Sequence, residues 1–592
     1  MTRRPVRIAN FSGYLGDRNS ALDDVMAGDP ADVLMGDYLA EITLAALSEQ
    51  HTRHPEGGFI RTFLRQIEPH LAEIAERQMV VVTNAGGFNP AGLAAALRER
   101  IDAAGLLLEV AHVEGDNIVG DLESLQAQGH DLTNMDTGAP LRSWGVQPIT
   151  ANAYLGGWGI TAALRAGADI VVTGRVADAS LTSGPAAWWH DWDLDDWNAL
   201  AGAATAGHII ECGAHATGGN FAGFQSVPGI DKPGYPIAEI DCDGSSVITK
   251  HSRDGGIVTT DTVTAQLVYE IQGPRYLTPD VTVHLDTVRV SQLGPDRVAV
   301  SAVAGSAPSP TTKVATFGQV GYQISQMVFM TAPDIDAKAA VLRNQLIGLL
   351  GDKVDALDIT VLGTAVANPA SQWEATVPVR IMATADHAEK LRSFAPTINS
   401  LYLSSYPGYH LDGGAQPATA PWPRIDYWPA LVDARCVHHR VVMPDGSIIE
   451  APRPPAAATA ARQPSHPEPT DIYPLVGESI ELGRIAYARS GDKGGNVNVG
   501  VWVRDDVAWD WLRHTLTTTA LRKLIPEAVD LDIVRHEFPH LRAVHFVVKG
   551  ILGTGGSSNF RVDQVGKSFG EYLRAKYVIA PRDLLETLDV TH

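Results

Sequence analysis

Short apolar runs alternate with helical patterns over the first 220 residues. VRIAN (6–10), DVLMG (32–36), MVVVTNAGG (79–87), LEVAHV (108–113), DIVVTG (169–174) and HIIEC (208–212) carry short apolar stretches of the kind found in strands buried on both faces. Between them, AGLAAALRERIDAAG and YLGGWGITAALRAGA have the spacing of amphipathic helices. This alternation predicts an α/β domain with a mainly parallel sheet over 1–235. From about residue 238 the pattern changes. VTAQLVYEIQG, VTVHLDTVRVSQ and DRVAVSAVAG are rich in Val and Thr with partial alternation, so a β-rich α+β region is expected over 236–451. Within it, DIDAKAAVLRNQLIGLLG and DHAEKLRSFAPTIN read as helices, and LDITVLG and EATVPVRIMATA as strands.

PRPPAAATAARQPSHPEPTDIYP, 452–474, has little large apolar content and reads as an exposed linker. The segment 475–592 then runs strand, strand, helix, strand, strand, helix. SIELGRIAYARSGD and NVNVGVWVR are the first strands and DVAWDWLRHTLTTTALRKL the helix; LDIVRHEF and LRAVHFVVKG follow, and the last helix comes after GTGGSSNF. Helices on one face of four antiparallel strands make an α+β, ferredoxin-like domain.

Composition narrows the function classes. A chain of 592 residues needs more than one core, and 45% hydrophobic with 19% charged residues is ordinary for a globular protein. A net charge of −22, with no clustered Lys and Arg, argues against a nucleic-acid surface, so a small molecule is the expected partner. Cys212, Cys242 and Cys436 are too few and scattered for a disulfide framework or a cysteine zinc site, which fits a reducing cytoplasm. MTRRPVRIANFSG has no apolar run after its arginines, and no stretch approaches about 18 apolar residues; no membrane association is expected.

In open α/β sheets, ligands sit at the carboxyl ends of the strands, and here those ends are polar. NFSGYLGDR offers Asn10, Asp17 and Arg18; GDYLAE offers Asp37 and Glu41 at an expected helix start. TNAGGFNPAG brings Asn84, Gly86, Gly87 and Asn89 to a helix N-terminus, an anion-site pattern without a dinucleotide or P-loop fingerprint; Asn89 as a plain helix cap explains it equally well. HVEGDN alternates His112, Glu114 and Asp116, with no dense metal-ligand cluster, so neither a metal nor another cofactor is expected. In GRVADAS, Arg175 can pair a substrate carboxylate or its own neighbour Asp178. GHIIECGAHATGGN sets Cys212 near His208 and His215, ahead of Gly218, Gly219 and Asn220. If this is a strand, His208 stands about 13 Å from Cys212 and His215 is the nearer base. ARSGDKGGNVNVGVW adds Arg489, Asp492, Lys493, Asn496 and Asn498, more polar groups than a hairpin loop requires, and ILGTGGSSNF is a second glycine loop able to reach the same site.

SGYLGDR, DVLMGDYLAE, NAGGFNPAGLAAAL, VEGDN, VVTGRVADASL, ECGAHATGGNF and TAQLVYEIQGPRYL, with ARSGDKGGNVNVGVWVR and HEFPHLRAVHFVVKGIL near the C-terminus, resemble the acyclic terpene utilisation protein A family and its ferredoxin-fold domain. The resemblance spans nearly the whole chain. It implies a place in branched or isoprenoid acyl-CoA catabolism, with coenzyme A carried only as part of the substrate, and it carries over no catalytic residues. Three readings follow. The first is a hydratase, dehydratase or carbon–carbon lyase with Asp37, Glu114 or Asp116 as base. In it, Gly86–Gly87 or Gly218–Gly219 hold an oxygen, and Arg175 and Lys493 neutralise an anion. The second is a Cys212-dependent thioester hydrolase or acyl transferase with His215 as base. The third is a non-catalytic scaffold for pathway enzymes. A homo-oligomer is expected in each.

Overall fold

The computed structural model describes residues 3–411, 420–470 and 476–589. The described chain begins with strands β1 (Val6–Ser12), β2 (Val33–Gly36), β3 (Val80–Thr83), β4 (Val110–Glu114), β5 (Pro148–Ala153), β6 (Ile170–Thr173), β7 (Pro236–Ile240) and β8 (Ser246–Lys250). All but β5 lie in one sheet, whose centre runs β1, β2, β3, β6, β4 with every pairing parallel. The strands that flank this centre are antiparallel. On one side stand β7, β8 and the strands at 297–301 and 289–294; on the other stand 440–442 and 448–450. The sheet is therefore mixed, not mainly parallel as the alternating pattern predicts. It also runs through the 235/236 boundary, because β7 pairs with β1.

The apolar runs have a direct packing cause. Alternate residues of each central strand enter two different cores: Ile8, Val33, Met35, Val80 and Val82 on one face, and Ala9, Leu34, Val81, Ile170 and Val172 on the other. HIIEC is not a sixth strand. Residues Trp197–Ile210 form one helix, buried along nearly its whole length from Ala199 to Ile210. A helix buried all round has no polar face, so the Ile209–Ile210 pair mimics a strand in the sequence. VTAQLVYEIQG likewise opens on a helix, Thr260–Leu267, whose capping box joins Thr259 and Thr262.

A second sheet is organised by the 21-residue strand Thr311–Thr331, which pairs with β5, Trp422–Asp433, Thr376–Ala385 and His410–Leu411. The C-terminal unit is a four-stranded antiparallel sheet in the order 487–493, 496–502, 543–548, 533–538, with its own core. The expected long helix there is two, Asp506–Thr515 and Thr518–Leu524. ARSGDKGGN is not a loop. The strands Tyr487–Lys493 and Asn496–Trp502 meet at a two-residue Gly494–Gly495 turn, so Arg489, Asp492 and Lys493 stand on a rigid strand. Of the expected linker, 471–474 lies outside the described residues. The part before it is tied down, with Gln463 bonded twice to the Arg275 backbone (2.8 and 2.7 Å).

Two glycines decide how the C-terminal sheet docks. A Cβ on Gly491 would come within 2.7 Å of the Tyr269 ring, and one on Gly500 within 2.3 Å of Val268. Both backbones approach the 260–267 helix and its exit at a distance only glycine permits. Gly491→Val is therefore expected to destabilise the docked state by about 1–3 kcal/mol. Calorimetry would register this as a lower melting temperature, and an unchanged one would refute the docking argument.

Candidate functional site

The docked hairpin closes one side of a cleft of about 630 Å³. The main sheet supplies Asp17 beyond β1, Asp37 and Glu41 beyond β2, and Arg175 and Asp178 beyond β6. The turn after the 197–210 helix adds Glu211, Cys212, His215 and Asn220; Tyr269 and Glu270 follow the 260–267 helix. The C-terminal unit contributes Asp492, Lys493 and Lys567, and its 555–557 loop forms part of the wall. A second cavity of about 620 Å³ shares Ile42 and Ser557 with the cleft and is walled by Ala45, Ile149, Trp422, Pro423 and Ile425.

The remaining candidates stand outside the cleft, in structural roles. Asn10 is fully buried and donates to the Ser12 and Glu211 carbonyls. Arg18 pairs with Asp24 at 3.1 Å. Asn84 donates to Asp37 Oδ1 at 2.7 Å, directly behind the wall. Gly87 donates to the Asn84 carbonyl, and a Cβ on Gly86 would meet the Thr173 carbonyl at 2.5 Å. Asn89 caps the helix Pro90–Ala103 through Gly92 N–H. The anion-site pattern here is thus a capped turn away from the cleft. Glu114 pairs with Arg440 at 3.0 Å. Asp116 accepts from the Arg175 backbone and Asn152, both at 2.8 Å, and so braces the arginine's strand end. Asn496 donates to Asp136 and accepts from Gly550 N–H, both at 2.9 Å, and so ties the hairpin to the main body and to the end of the 543–548 strand. Gly218 N–H goes to His215 O (3.3 Å) and Gly219 N–H to Ala214 O (2.9 Å), so these amides close a turn and hold no anion.

The Cys212 segment resolves the same way. Its thiol lines the cleft, but burial, then the charge of Glu211, pushes its pKa well above the ordinary thiol value. Among the described residues, no hydrogen bond reaches its sulfur. His215 is held neutral by burial and by Arg489, whose guanidinium donates to its Nδ1 at 2.9 Å. The imidazole therefore serves the arginine and not the thiol. His208 is 2% exposed and pairs with Glu211 at 3.1 Å.

The charges in the cleft fall into two groups. On the main-domain wall, Arg175 pairs with Asp178 at 2.8 Å, gives a hydrogen bond to the Leu39 carbonyl at 2.9 Å and lies 4.2 Å over the Tyr154 ring. Glu41 accepts from Lys313 (2.7 Å) and Tyr154 (2.6 Å). Burial opposes its ionisation, but Lys313, Lys493 and Arg175 outweigh this and hold it well below the usual carboxylate range. On the C-terminal side, Glu270 receives Lys567 at 2.5 Å and faces Lys493 at 3.6 Å. Despite burial, the two lysines hold its carboxyl at about 2. Glu270 sits at φ +53°, with its N–H on Asn498 Oδ1 at 2.8 Å. A strained backbone held by a partner across the interface fixes the carboxylate between both lysines.

That side carries surplus positive charge. Arg489 is 4% exposed and makes no ion pair among the described residues; its guanidinium lies 4.3 Å over Tyr269 and donates to the Asn220 carbonyl. Lys567 and Lys493 face the ionised Glu270, and Lys493 also acts on the ionised Glu41. The remaining carboxyl, Asp492, is raised to about 7 by burial and by the charge of Glu270. A group titrating there exchanges a proton in either direction at neutral pH, which is what acid–base catalysis asks of a side chain.

Lys313, Glu211, Tyr269, Glu270 and Lys567 are the site residues that sequence reasoning misses. Lys313 lies in a segment with no glycine loop or motif to mark it, and Lys567 follows Gly566 seven residues beyond the GTGGSSNF loop. Glu270 lies in YEIQG, where the only signal is a charged residue at the exit of a capped helix. Among the described residues, no group of three or more His, Cys, Asp or Glu is placed to hold a metal ion, and no helix is long and apolar enough to cross a membrane.

A layered α/β body and a ferredoxin-like unit share one charged cleft, which makes this a two-part protein with a cleft at the joint. Residues 6–443 match the acyclic terpene utilisation family protein AtuA, and 480–579 match the AtuA ferredoxin-like domain. The chain belongs to the AtuA family. No curated protein and no solved structure gives a significant match.

Proposed function

We propose that this AtuA-family protein is an enzyme of acyclic isoprenoid-acid catabolism that acts on an acyl-CoA or related acid by adding or removing water or by breaking a carbon–carbon bond. The observation that carries the reading is Asp492, a carboxyl lining the cleft with Lys493 and Lys567, where burial and the charge of Glu270 raise it to about 7. In dehydration of a 3-hydroxyacyl thioester, the Asp492 carboxylate takes the Cα proton and charge builds on the thioester oxygen. The same proton then leaves with the β-hydroxyl as water, and the Cα–Cβ double bond forms. In a retro-aldol cleavage, Asp492 takes the proton of the β-hydroxyl, the Cα–Cβ bond breaks and the proton returns to Cα. Both routes build negative charge beside cations that are already in place.

The cavity beyond Ile42 gives an acyclic chain its room, since Ile42, Ile149, Trp422, Pro423 and Ile425 offer apolar walls continuous with the cleft. Incubation with saturated, unsaturated, 3-hydroxy and branch-carboxylated thioesters, and with the free acids, tests the reading by mass spectrometry. Gain or loss of water, or a shortened acid, is expected; an unchanged panel would end it. Ala46 is exposed on the helix Thr43–Arg53 and faces the second cavity. Ala46→Trp is expected to raise KM about tenfold for ten-carbon chains and to leave four-carbon substrates within about twofold, the loss of roughly two buried methylenes' worth of contact. Equal KM changes for both lengths would remove the chain from this cavity.

A further inference from the structure

Asp37 stands where a base is expected from its sequence, at the carboxyl end of a central strand, but its surroundings argue the opposite role. It is 5% exposed and lines the cleft. Its Oδ1 accepts two hydrogen bonds, from Asn84 Nδ2 at 2.7 Å and from Leu39 N–H at 3.3 Å. Its Oδ2 makes no hydrogen bond among the described residues. Two further carboxyl groups, Asp178 and Glu211, line the same wall, and the nearest guanidinium, Arg175, is already paired with Asp178 at 2.8 Å. Glu211 is paired with the buried His208. No cation within ion-pair distance is left for Asp37.

We propose that Asp37 is a neutral carboxylic acid whose Oδ2–H donates a hydrogen bond to the carbonyl oxygen of the substrate. Asn84 and Leu39 point N–H groups at Oδ1, which makes Oδ1 the carbonyl oxygen and leaves the proton on Oδ2. A proton on Oδ2 gives the open side of the carboxyl a donor, and a buried acid kept neutral is a strong donor to an oxygen that gains charge. Burial, then the charge of Asp178, raises this carboxyl well above the usual range, with Glu211 acting in the same direction against Asn84 and Arg175. The division of labour follows from the two walls. Asp37 meets the carbonyl oxygen from the main domain, Asp492 moves the proton from the C-terminal unit, and the lysines face the rest of the anion. This inference rests on the acyl-transforming reaction proposed above.

Asp37→Asn and Asp37→Leu separate a donor from a base. Asparagine keeps a donor in place of the Oδ2–H, whereas leucine removes it. Donation predicts that Asp37→Asn keeps turnover of the converted thioester within about threefold, while Asp37→Leu loses about 100-fold in kcat. An asparagine variant as inactive as the leucine variant would overturn the proposal. A ligand-free measurement stands beside it. Infrared difference spectra of wild type minus Asp37→Asn at pH 8.5 should contain a carboxylic-acid C=O stretch that shifts in deuterium oxide, and a carboxylate band in its place would overturn the proposal. Asp492→Asn should leave that band intact. Loss of the reaction reading is therefore distinguishable from loss of the neutral acid.

Discussion

Asp492→Asn is expected to abolish proton transfer and lower kcat/KM by about 10²- to 10⁴-fold while leaving the fold in place. The pH dependence gives the sharper readout. With its carboxyl raised to about 7, the Asp492 carboxylate becomes populated as pH rises through that value. The rate of a reaction that begins with proton removal should climb over roughly a unit either side of pH 7 and then level off. The variant's residual rate should be flat across the same range. Stability is expected to move the other way. A carboxyl whose folded pKa lies above its ordinary value costs stability once pH exceeds the ordinary value, and the cost reaches its full size above the folded one. Asp492→Asn should therefore melt higher than wild type at pH 8 and close to it at pH 4. A variant that keeps its activity, or keeps the limb near pH 7, would assign the proton to another group.

Glu270→Ala is expected to do the greater structural damage. It leaves Lys567 and Lys493 facing each other with no carboxylate between them, and it removes the acceptor that Lys567 approaches at 2.5 Å. Breaking a fully buried pair costs about 3–5 kcal/mol and an exposed one about 0–1. With Glu270 about a fifth exposed and Lys567 about two-fifths exposed, about 2–3 kcal/mol is the expected loss, read as a lower melting temperature at pH 7. The pH course has a fixed sign. Glu270's folded pKa of about 2 lies below its ordinary 4.5, so its contribution is complete above about 4.5 and fades as pH falls toward 2. The gap between wild type and variant should close over that window. A gap that persists at pH 2 would mean the residue acts through packing and not through charge.

Much of the main sheet was legible because its strands are buried on both faces, so that Val80–Thr83 and Ile170–Thr173 stand out as short β-branched apolar runs. The flanking antiparallel strands were not, since pairing direction depends on how the chain returns, and 236–240 carries no mark of it. The 208–212 segment failed for a related reason: a helix buried all round erases the amphipathic period that identifies helices. At the site, Asp37, Arg175, Asp178, Cys212 and Lys493 were visible as polar residues at strand ends and beside glycines, and all five line the cleft. Their neighbours were not. Lys313 reaches Glu41 across 272 positions and Lys567 reaches Glu270 across 297, pairings that only the tertiary fold creates. Glycine pairs misled in the other direction, because Gly86–Gly87 and Gly218–Gly219 form turns in which the Gly87, Gly218 and Gly219 amides are bonded within the chain.

The close approach at Gly491 and Gly500 has a consequence for how such a protein can be divided. Cut within 452–474, the chain would yield a larger piece with Asp37, Arg175 and Glu270 and a smaller one with Asp492, Lys493 and Lys567. Neither piece would hold both Asp37 and Asp492, and each would expose a charge whose counterpart lies on the other. Mixed together, they have a contact surface matched in shape by two missing side chains and in sign by one acid and two amines. Catalysis would then report on whether the halves have met, as the output of a two-input gate reports that both inputs are present.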